Sequence, residues 1–413
     1  MVEAIPVGHL GGRRRFLGHA AALGALIMSP VSAARAQGTV MLPLPGGPDA
    51  RPLTTAFPEK GEMVLQRMRP PLLETPFEVF DKGVITPNDQ FFVRWHLSGI
   101  PQQVDVTTFR LVVDGHVTQP LSLSLAELLT LPRVEMVAVN QCSGNSRGLF
   151  QPRVPGGEWG NGAMGNARWT GFRLRDLLDR AGVKAGAVQV RFNGLEGPAL
   201  PATPSFKKSL SIDHARDGEV MVAYLMNGTQ MPLLNGFPIR LIVPGWYSTY
   251  WMKMLSHIEV LDQPDDNFWM KTAYRIPDTP GANVSPTETG YKTVPINSMV
   301  PRSFVTNFKT GDTVKAGEAV PVRGIAFGGD CGVAHVSLSA DGGTTWVAAK
   351  LGPDEGKYSF HAWQAEVTAP TSGVLEISVR CTNTKGEMQS WTPNWNPGGY
   401  MRNCIETVVL NIA

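Results

Sequence analysis

The chain has 413 residues, enough for two domains with full apolar cores. Its 37 basic and 35 acidic residues nearly balance, which argues against a nucleic-acid-binding protein. Forty-four Gly, 33 Pro and only 17% charged residues point to a loop-rich, β-leaning globule.

Arg13-Arg14-Arg15-Phe16-Leu17-Gly18 precedes an apolar run from Ala20 to Met28, and Ala34-Arg35-Ala36 forms an A-x-A cleavage site. The run is shorter than the roughly 18 residues of a membrane span. Residues 1–36 therefore read as a removable signal, and twin arginine followed by Phe-Leu fits the twin-arginine export route. That route carries folded proteins, often with a cofactor already inserted, so a bacterial periplasmic protein is expected. The alternative is an ordinary secretory signal with a chance arginine pair. No other apolar stretch is long enough to span a bilayer.

Residues 37–79 begin with Leu42-Pro43-Leu44-Pro45-Gly46-Gly47-Pro48 and read as an extended surface arm. From 80 to 298 the pattern is mixed, with strands expected at Phe91–Trp95, Thr108–Val113, Val134–Val139, Val188–Phe192 and Ile239–Val243. Ser124-x-x-Glu127 is a capping box opening a helix over Leu125–Leu131. A second helix, Phe172–Ala181, puts Leu174, Leu177 and Leu178 on one face before Gly182 ends it. Short helices among strands predict an α+β fold. Over 299–413, short alternating strands recur at Ala319–Gly324, Ala334–Ser339, Thr345–Lys350, His361–Val367, Leu375–Cys381 and Ile405–Asn411. Asp341-Gly342-Gly343 turns a hairpin among them, and the whole reads as an immunoglobulin-like sandwich.

Asn140-Gln141-Cys142-Ser143-Gly144-Asn145-Ser146-Arg147 is the most informative run. A buried strand delivers Cys142 into a loop of small and amide-bearing residues with an arginine close behind. Such a thiol is a nucleophile or soft-metal ligand, or else a buried structural cysteine. The other cysteines are Cys331, Cys381 and Cys404, which could supply one disulfide in an oxidising compartment. No C-x-x-C-H is present, so no c-type haem is expected in this chain.

Arg94 and His96 alternate in Phe91-Phe92-Val93-Arg94-Trp95-His96 and so share a strand face, which either meets an anion or is simply solvated. Gly160-Asn161-Gly162-Ala163-Met164-Gly165 satisfies G-x-G-x-x-G but no strand precedes it, and Asn166–Thr170 is a weak helix opening. Those glycines are expected in a loop folded over Cys142. Asn235, Arg240 and Lys253 flank a Gly-Trp-Tyr-Ser loop and could clamp a phosphate, Arg as a fork and Lys as a point charge. Tyr274 sits beside Arg275.

Phe-x-Arg-x-His, Asn-Gln-Cys-x-Gly-Asn-x-Arg, Trp-x-x-Gly-Ala-x-x-x-Ala-Arg-Trp-x-Gly and Asn-Gly-x-Pro-x-Arg occur in order ahead of the sandwich. Together they resemble the sulfite oxidase family of mononuclear molybdenum enzymes, and within it the bacterial periplasmic sulfite dehydrogenases. The resemblance implies a molybdenum–molybdopterin cofactor with one pterin, ligated by Cys142 and by two dithiolene sulfurs. It implies substrate-pocket roles for Arg94, Arg147 and Tyr274, with His96 lining pterin and pocket and Arg402 a third pocket cation. It implies cofactor contacts from Phe92, Glu196, Asn235, Arg240, Trp251, Met252 and Lys253, although Asn235 stands where animal enzymes have His and Glu196 where they have Asp. The implied activity is oxidation of sulfite to sulfate, with electrons passed singly to a c-type cytochrome. The implied assembly is a homodimer, or a heterodimer with that cytochrome. Rivals are a methionine sulfoxide or other S/N-oxide reductase on the same scaffold, a nitrate enzyme, and a cofactor-free periplasmic binding protein.

Overall fold

The computed structural model describes residues 38–413; the expected signal at 1–36 lies outside them. The described chain is mostly β, and its α-helices are short, the longest being the eight-residue Leu174–Ala181. The expected α+β balance therefore shifts toward β. The helix expected over Leu125–Leu131 is a single turn, Leu125–Leu128, with the predicted capping box present. The second expected helix starts two residues late because Phe172 and Arg173 still belong to a strand, and Gly182 ends it at φ 68°. None of the described helices is long and apolar enough to cross a membrane.

The segment expected to be a surface arm is instead paired. Gly38–Met41, Ala50–Thr54, Met63–Arg67, Leu72–Glu74 and Val93–Arg94 form one antiparallel sheet in that order. Its inner strands carry fully buried Met63 and Leu73, so apolar burial overrides the Pro-rich lead-in. Only Val93 and Arg94 of the expected Phe91–Trp95 strand are paired, because this strand is the sheet's edge.

Two further sheets build the centre. In one, Lys207–Ser211, Gln189–Gly194, Leu255–Leu261, Arg110–Gly115 and Leu121–Ser124 lie side by side, with a single parallel pair between Leu255–Leu261 and Arg110–Gly115. In the other, Met164–Arg173 lies between Arg133–Gln141 and Met221–Met226. Met164–Arg173 was expected as glycine loop and weak helix opening. Its opening Gly165, Asn166 and Ala167 disfavour a strand, yet nine of its ten residues pair with Arg133–Gln141, so the partner strand decides its state. Gly171 is required there: a Cβ would meet Val222 O at 1.9 Å.

Beyond residue 299, the sheet Arg302–Val305, Ala319–Phe327, His361–Thr368 and Lys350–Leu351 shares one apolar cluster with a second sheet. That second sheet contains Thr313–Val314, Glu406–Ile412, Val374–Asn383, Val333–Ser339 and Val347–Ala348. Trp363 of the first and Ile377 of the second are both buried in this cluster. All four cysteines are free and buried, so no disulfide forms among Cys331, Cys381 and Cys404.

Glu74 ties the first sheet to the Cys142 region. Its buried carboxylate accepts from Gly160 N at 3.1 Å, Gly162 N at 2.8 Å and Gln66 Nε2 at 2.7 Å. The same glycine loop supplies Ala163 O to Cys142 N at 2.9 Å. Glu74→Gln turns one acceptor into a donor facing N–H groups, and should cost about 2 kcal/mol and lower the melting midpoint by about 2–3 °C. Calorimetry showing a shift below one degree would contradict this anchoring role.

Candidate active site

Strand Arg133–Gln141 becomes fully buried from Val137 onward and ends where Cys142 begins its loop. The loop is held tightly. Asn145 N donates to Cys142 O at 2.9 Å, Ser146 N to Gly160 O at 2.7 Å, and Ala163 N to Asn145 Oδ1 at 2.9 Å. Ser146 sits at φ 67°, which the surrounding bonds enforce. The glycine segment thus folds against Cys142, as its sequence suggested.

Cys142 stands between two cavities. One is the smaller and the less open of the two. Phe92, Arg94, His96, Asn235, Arg240, Trp251, Lys253 and Tyr274 line it together with Cys142. The other is a wider cleft of about 1790 Å³ bounded by Arg147, Trp159, Gly398 and Tyr400. Arg94, Cys142, Ser143 and Tyr274 line both, and so form the partition.

Three sequence-proposed residues lie elsewhere. Met252 is buried in the apolar core without lining either cavity, and its carbonyl accepts from Leu241 N at 2.8 Å. Glu196 is buried behind His96, accepting from Leu97 N at 3.0 Å. Arg402 lines neither cavity. It is paired with Glu406 at 2.7 Å, which also holds Arg302 at 2.5 Å, so its guanidinium is engaged away from both cavities. The C-terminal contribution to the cleft comes instead from Tyr400, stacked on Tyr274 at 5.6 Å with the Arg147 guanidinium 5.1 Å from its ring. Arg147 Nε donates to Gly398 O at 3.1 Å.

Sequence reasoning missed Asn140, Ser143, Phe206, Leu234, Ser248 and Thr249 on the inner cavity, and Tyr400 on the cleft. Asn140 and Ser143 flank Cys142 directly, a signal that was available. Phe206 stacks on His96 at 3.5 Å from a distant segment, and nothing local in the sequence announces that.

The site's electrostatics are one-sided. Burial, reinforced by Arg94, Lys253, Lys208 and Arg67, pushes His96 well below its usual range, so its imidazole is neutral. Its 4.0 Å approach to Glu196 is therefore no ion pair. His96 Nε2 and the Tyr274 hydroxyl share a 2.7 Å hydrogen bond whose direction follows the imidazole tautomer. Burial raises Tyr274 far above the ordinary phenol range, keeping its proton in place. Tyr274 itself lies at φ 56°, a strained backbone for an aromatic residue, held by Ile296 N donating to its carbonyl at 2.8 Å. Burial lowers Lys253 to about 7 and Arg240 to about 9. Burial likewise raises Glu196, opposed by Lys253, so the nearest carboxylate tends to neutrality.

Several buried polar atoms around the inner cavity lack a protein partner: Arg94 Nη1, Asn140 Nδ2, Ser143 Oγ, Arg240 Nε and Thr249 Oγ1. Orphaned donors converging on one cavity call for an anionic, oxygen-rich guest. Among the described residues no group of three His, Cys, Asp or Glu could hold a metal ion, so a metal at Cys142 would bring further ligands with it. A lone cysteine between a cationic cavity and a wider cleft suits a protein that holds an anionic, metal-bearing cofactor.

The comparisons agree. Residues 96–269 match the oxidoreductase molybdopterin binding domain, and residues 293–412 the Mo-co oxidoreductase dimerisation domain. Chicken sulfite oxidase (Gallus gallus) is 33% identical over 378 residues, covering 86% of this chain and 80% of that protein. Human mitochondrial sulfite oxidase (Homo sapiens) is 34% identical over 367 residues, covering 84% of this chain. The chain spans 65% of the human protein's length. The sulfane dehydrogenase SoxCD from Paracoccus pantotrophus shares the fold, with a TM-score of 0.70 at 22% identity over 83% of this chain and 87% of that one. The chain belongs to the sulfite oxidase family of molybdopterin oxidoreductases.

Behind the cavity, Lys60 donates to Asn235 Oδ1 at 2.8 Å and to Asn88 O at 2.6 Å, and burial lowers it to about 7. Unfolded lysine keeps its proton to about 10.4. Between those values the unfolded chain binds more protons, so stability rises with pH. Lys60→Met should flatten that rise by about 1 kcal/mol per pH unit from pH 7 to 10. Urea unfolding at pH 7, 8 and 9 measures it; parallel curves for the two proteins would contradict a depressed Lys60.

Proposed function

We propose that this chain is the catalytic subunit of a periplasmic sulfite dehydrogenase, oxidising sulfite to sulfate and passing electrons singly to a c-type cytochrome. Its C-terminal pair of sheets serves on this reading as an immunoglobulin-like dimerisation module, in a homodimer or a heterodimer with the cytochrome. The observation that carries the proposal is the partition at Cys142: a cationic cavity behind it, and a wider cleft before it with Arg94 and Arg147 on its walls.

Phe92, His96, Asn235, Arg240, Trp251 and Lys253 would hold the pterin, with Arg240 and Lys253 toward its phosphate and Cys142 as the protein's metal ligand. When bound, molybdenum supplies an oxygen atom and takes up two electrons. The protein's part is placement. Arg94 and Arg147 bind the substrate's oxygens, leaving its sulfur lone pair facing the partition. Tyr274, neutral and fixed by His96, keeps a proton at its hydroxyl for a substrate oxygen or a departing one. Trp159 and Tyr400 narrow the cleft and exclude water.

Cys142→Ser should abolish activity. Arg94→Met should raise the sulfite KM at least tenfold, since a charged hydrogen-bond fork is worth about 1.5–3 kcal/mol. An unchanged KM contradicts the pocket role. The purified protein should reduce ferricytochrome c with sulfite, carry one molybdenum per chain, and leave nitrate and methionine sulfoxide unreduced. Turnover of either oxidised compound in place of sulfite would overturn the reading, and an active preparation free of molybdenum would do so equally.

A further inference from the structure

The open cleft carries a cation that the function as proposed does not use. Arg67 ends strand Met63–Arg67, which lies two strands from Arg94 in the N-terminal sheet, and it lines the same cleft. The register explains how it gets there. Leu65 faces Leu73, but the next pairing is Arg67 with Leu72, so a bulge at Gln66 inserts one residue. Without that insertion, strand alternation would turn Arg67 to the opposite face. With it, Arg67, Leu72 and Arg94 form one cross-strand row, since Leu72 in turn faces Arg94. Residues in such a row share a face, and two strand spacings put the backbones of the arginines about 10 Å apart.

Charge pairing on the cleft wall is selective. Arg51 on that wall pairs with Glu158, which also holds Arg153 outside the cleft. Among the described residues Arg67, Arg94 and Arg147 have no carboxylate partner, while Arg402 shares Glu406 with Arg302. Arg67 is exposed toward the mouth and anchored by Nε donating to Pro70 O at 3.3 Å. Its guanidinium also feels Arg94: burial and that like charge both draw it below the usual range. Two cations held within reach of each other without a counter-charge are relieved by an anion between them.

We infer that Arg67 is an anion-guiding residue at the mouth of the cleft, which draws a small dianionic oxyanion in and hands it to Arg94 and Arg147. This rests on the oxyanion substrate proposed above and adds a third cation from the N-terminal sheet, in the place that Arg402 was expected to fill. Its field is felt over about a Debye length, roughly 8 Å at physiological salt, so its effect is on capture and is screened by salt. The bond-making step lies beyond its reach.

The test pairs kinetics with equilibrium binding on the cofactor-loaded protein. At low ionic strength Arg67→Ala should lower kcat/KM for sulfite about fivefold and Arg67→Glu about thirtyfold, with kcat moving much less. Arg67→Lys should restore most of the loss, and the salt dependence of kcat/KM should flatten in Arg67→Ala. Sulfate affinity measured by calorimetry should fall in the same order. If the wild type turns over sulfite and Arg67→Glu keeps its kcat/KM and salt slope, the role of Arg67 is overturned and the function stands. If the wild type does not turn over sulfite yet loses sulfate affinity in Arg67→Glu, the function fails and the anion-guiding role holds. A wild type that binds no sulfate overturns the inference.

Discussion

Positive charge buried without a matching carboxylate is the constraint on which this structure depends. Arg94, Arg240 and Lys253 line one cavity with Cys142, and Lys60 and Lys208 are buried close behind it. The nearest carboxylate, Glu196, is itself driven toward its neutral form. Desolvating such groups costs several kcal/mol each when no counter-charge meets them. Pairing against aromatic faces recovers part of that: Lys253 lies 4.4 Å from the Trp95 ring and Arg240 5.1 Å from that of Trp169. The remainder is offset when an anionic cofactor fills the cavity, so the unliganded protein is expected to be the less stable form.

Three parts of the chain share the work of building that environment. The central sheet pairs Met164–Arg173 with the strand that presents Cys142, and so fixes where the thiol stands. The N-terminal sheet supplies Arg94 from its edge strand and Glu74, which clamps the glycine loop behind the thiol. The C-terminal segment reaches back: Met401 N donates to Ser143 O at 3.0 Å, and Tyr400 closes one side of the cleft. Cleft and cavity are thus assembled from segments far apart in sequence, and neither matched family region contains all of their walls.

That assembly explains what the sequence revealed and what it withheld. The Asn140–Arg147 run was legible because the strand, the cysteine and the turn residues are contiguous. Arg94 and His96 were legible through strand alternation, although their strand is shorter than expected. The Met164–Arg173 strand was not, since its first half, Met164–Arg168, has weak β preference and its state comes from partners on both sides. The first sheet was read as an arm because prolines dominate its start, while its pairing depends on Val93–Arg94 beyond it. Arg402 was misread because its local sequence says nothing of Arg302, which shares Glu406 with it. The reach of Arg67 into the cleft depends on one inserted residue, and a register shift leaves no mark in composition or periodicity.

The central claim is that the Cys142 sulfur binds a metal whose other ligands come with the cofactor. X-ray absorption at the molybdenum edge, on the purified protein and on Cys142→Ser, addresses it directly. The account predicts three sulfur scatterers around molybdenum in the natural protein and two in the variant. An identical sulfur count in both proteins would contradict it.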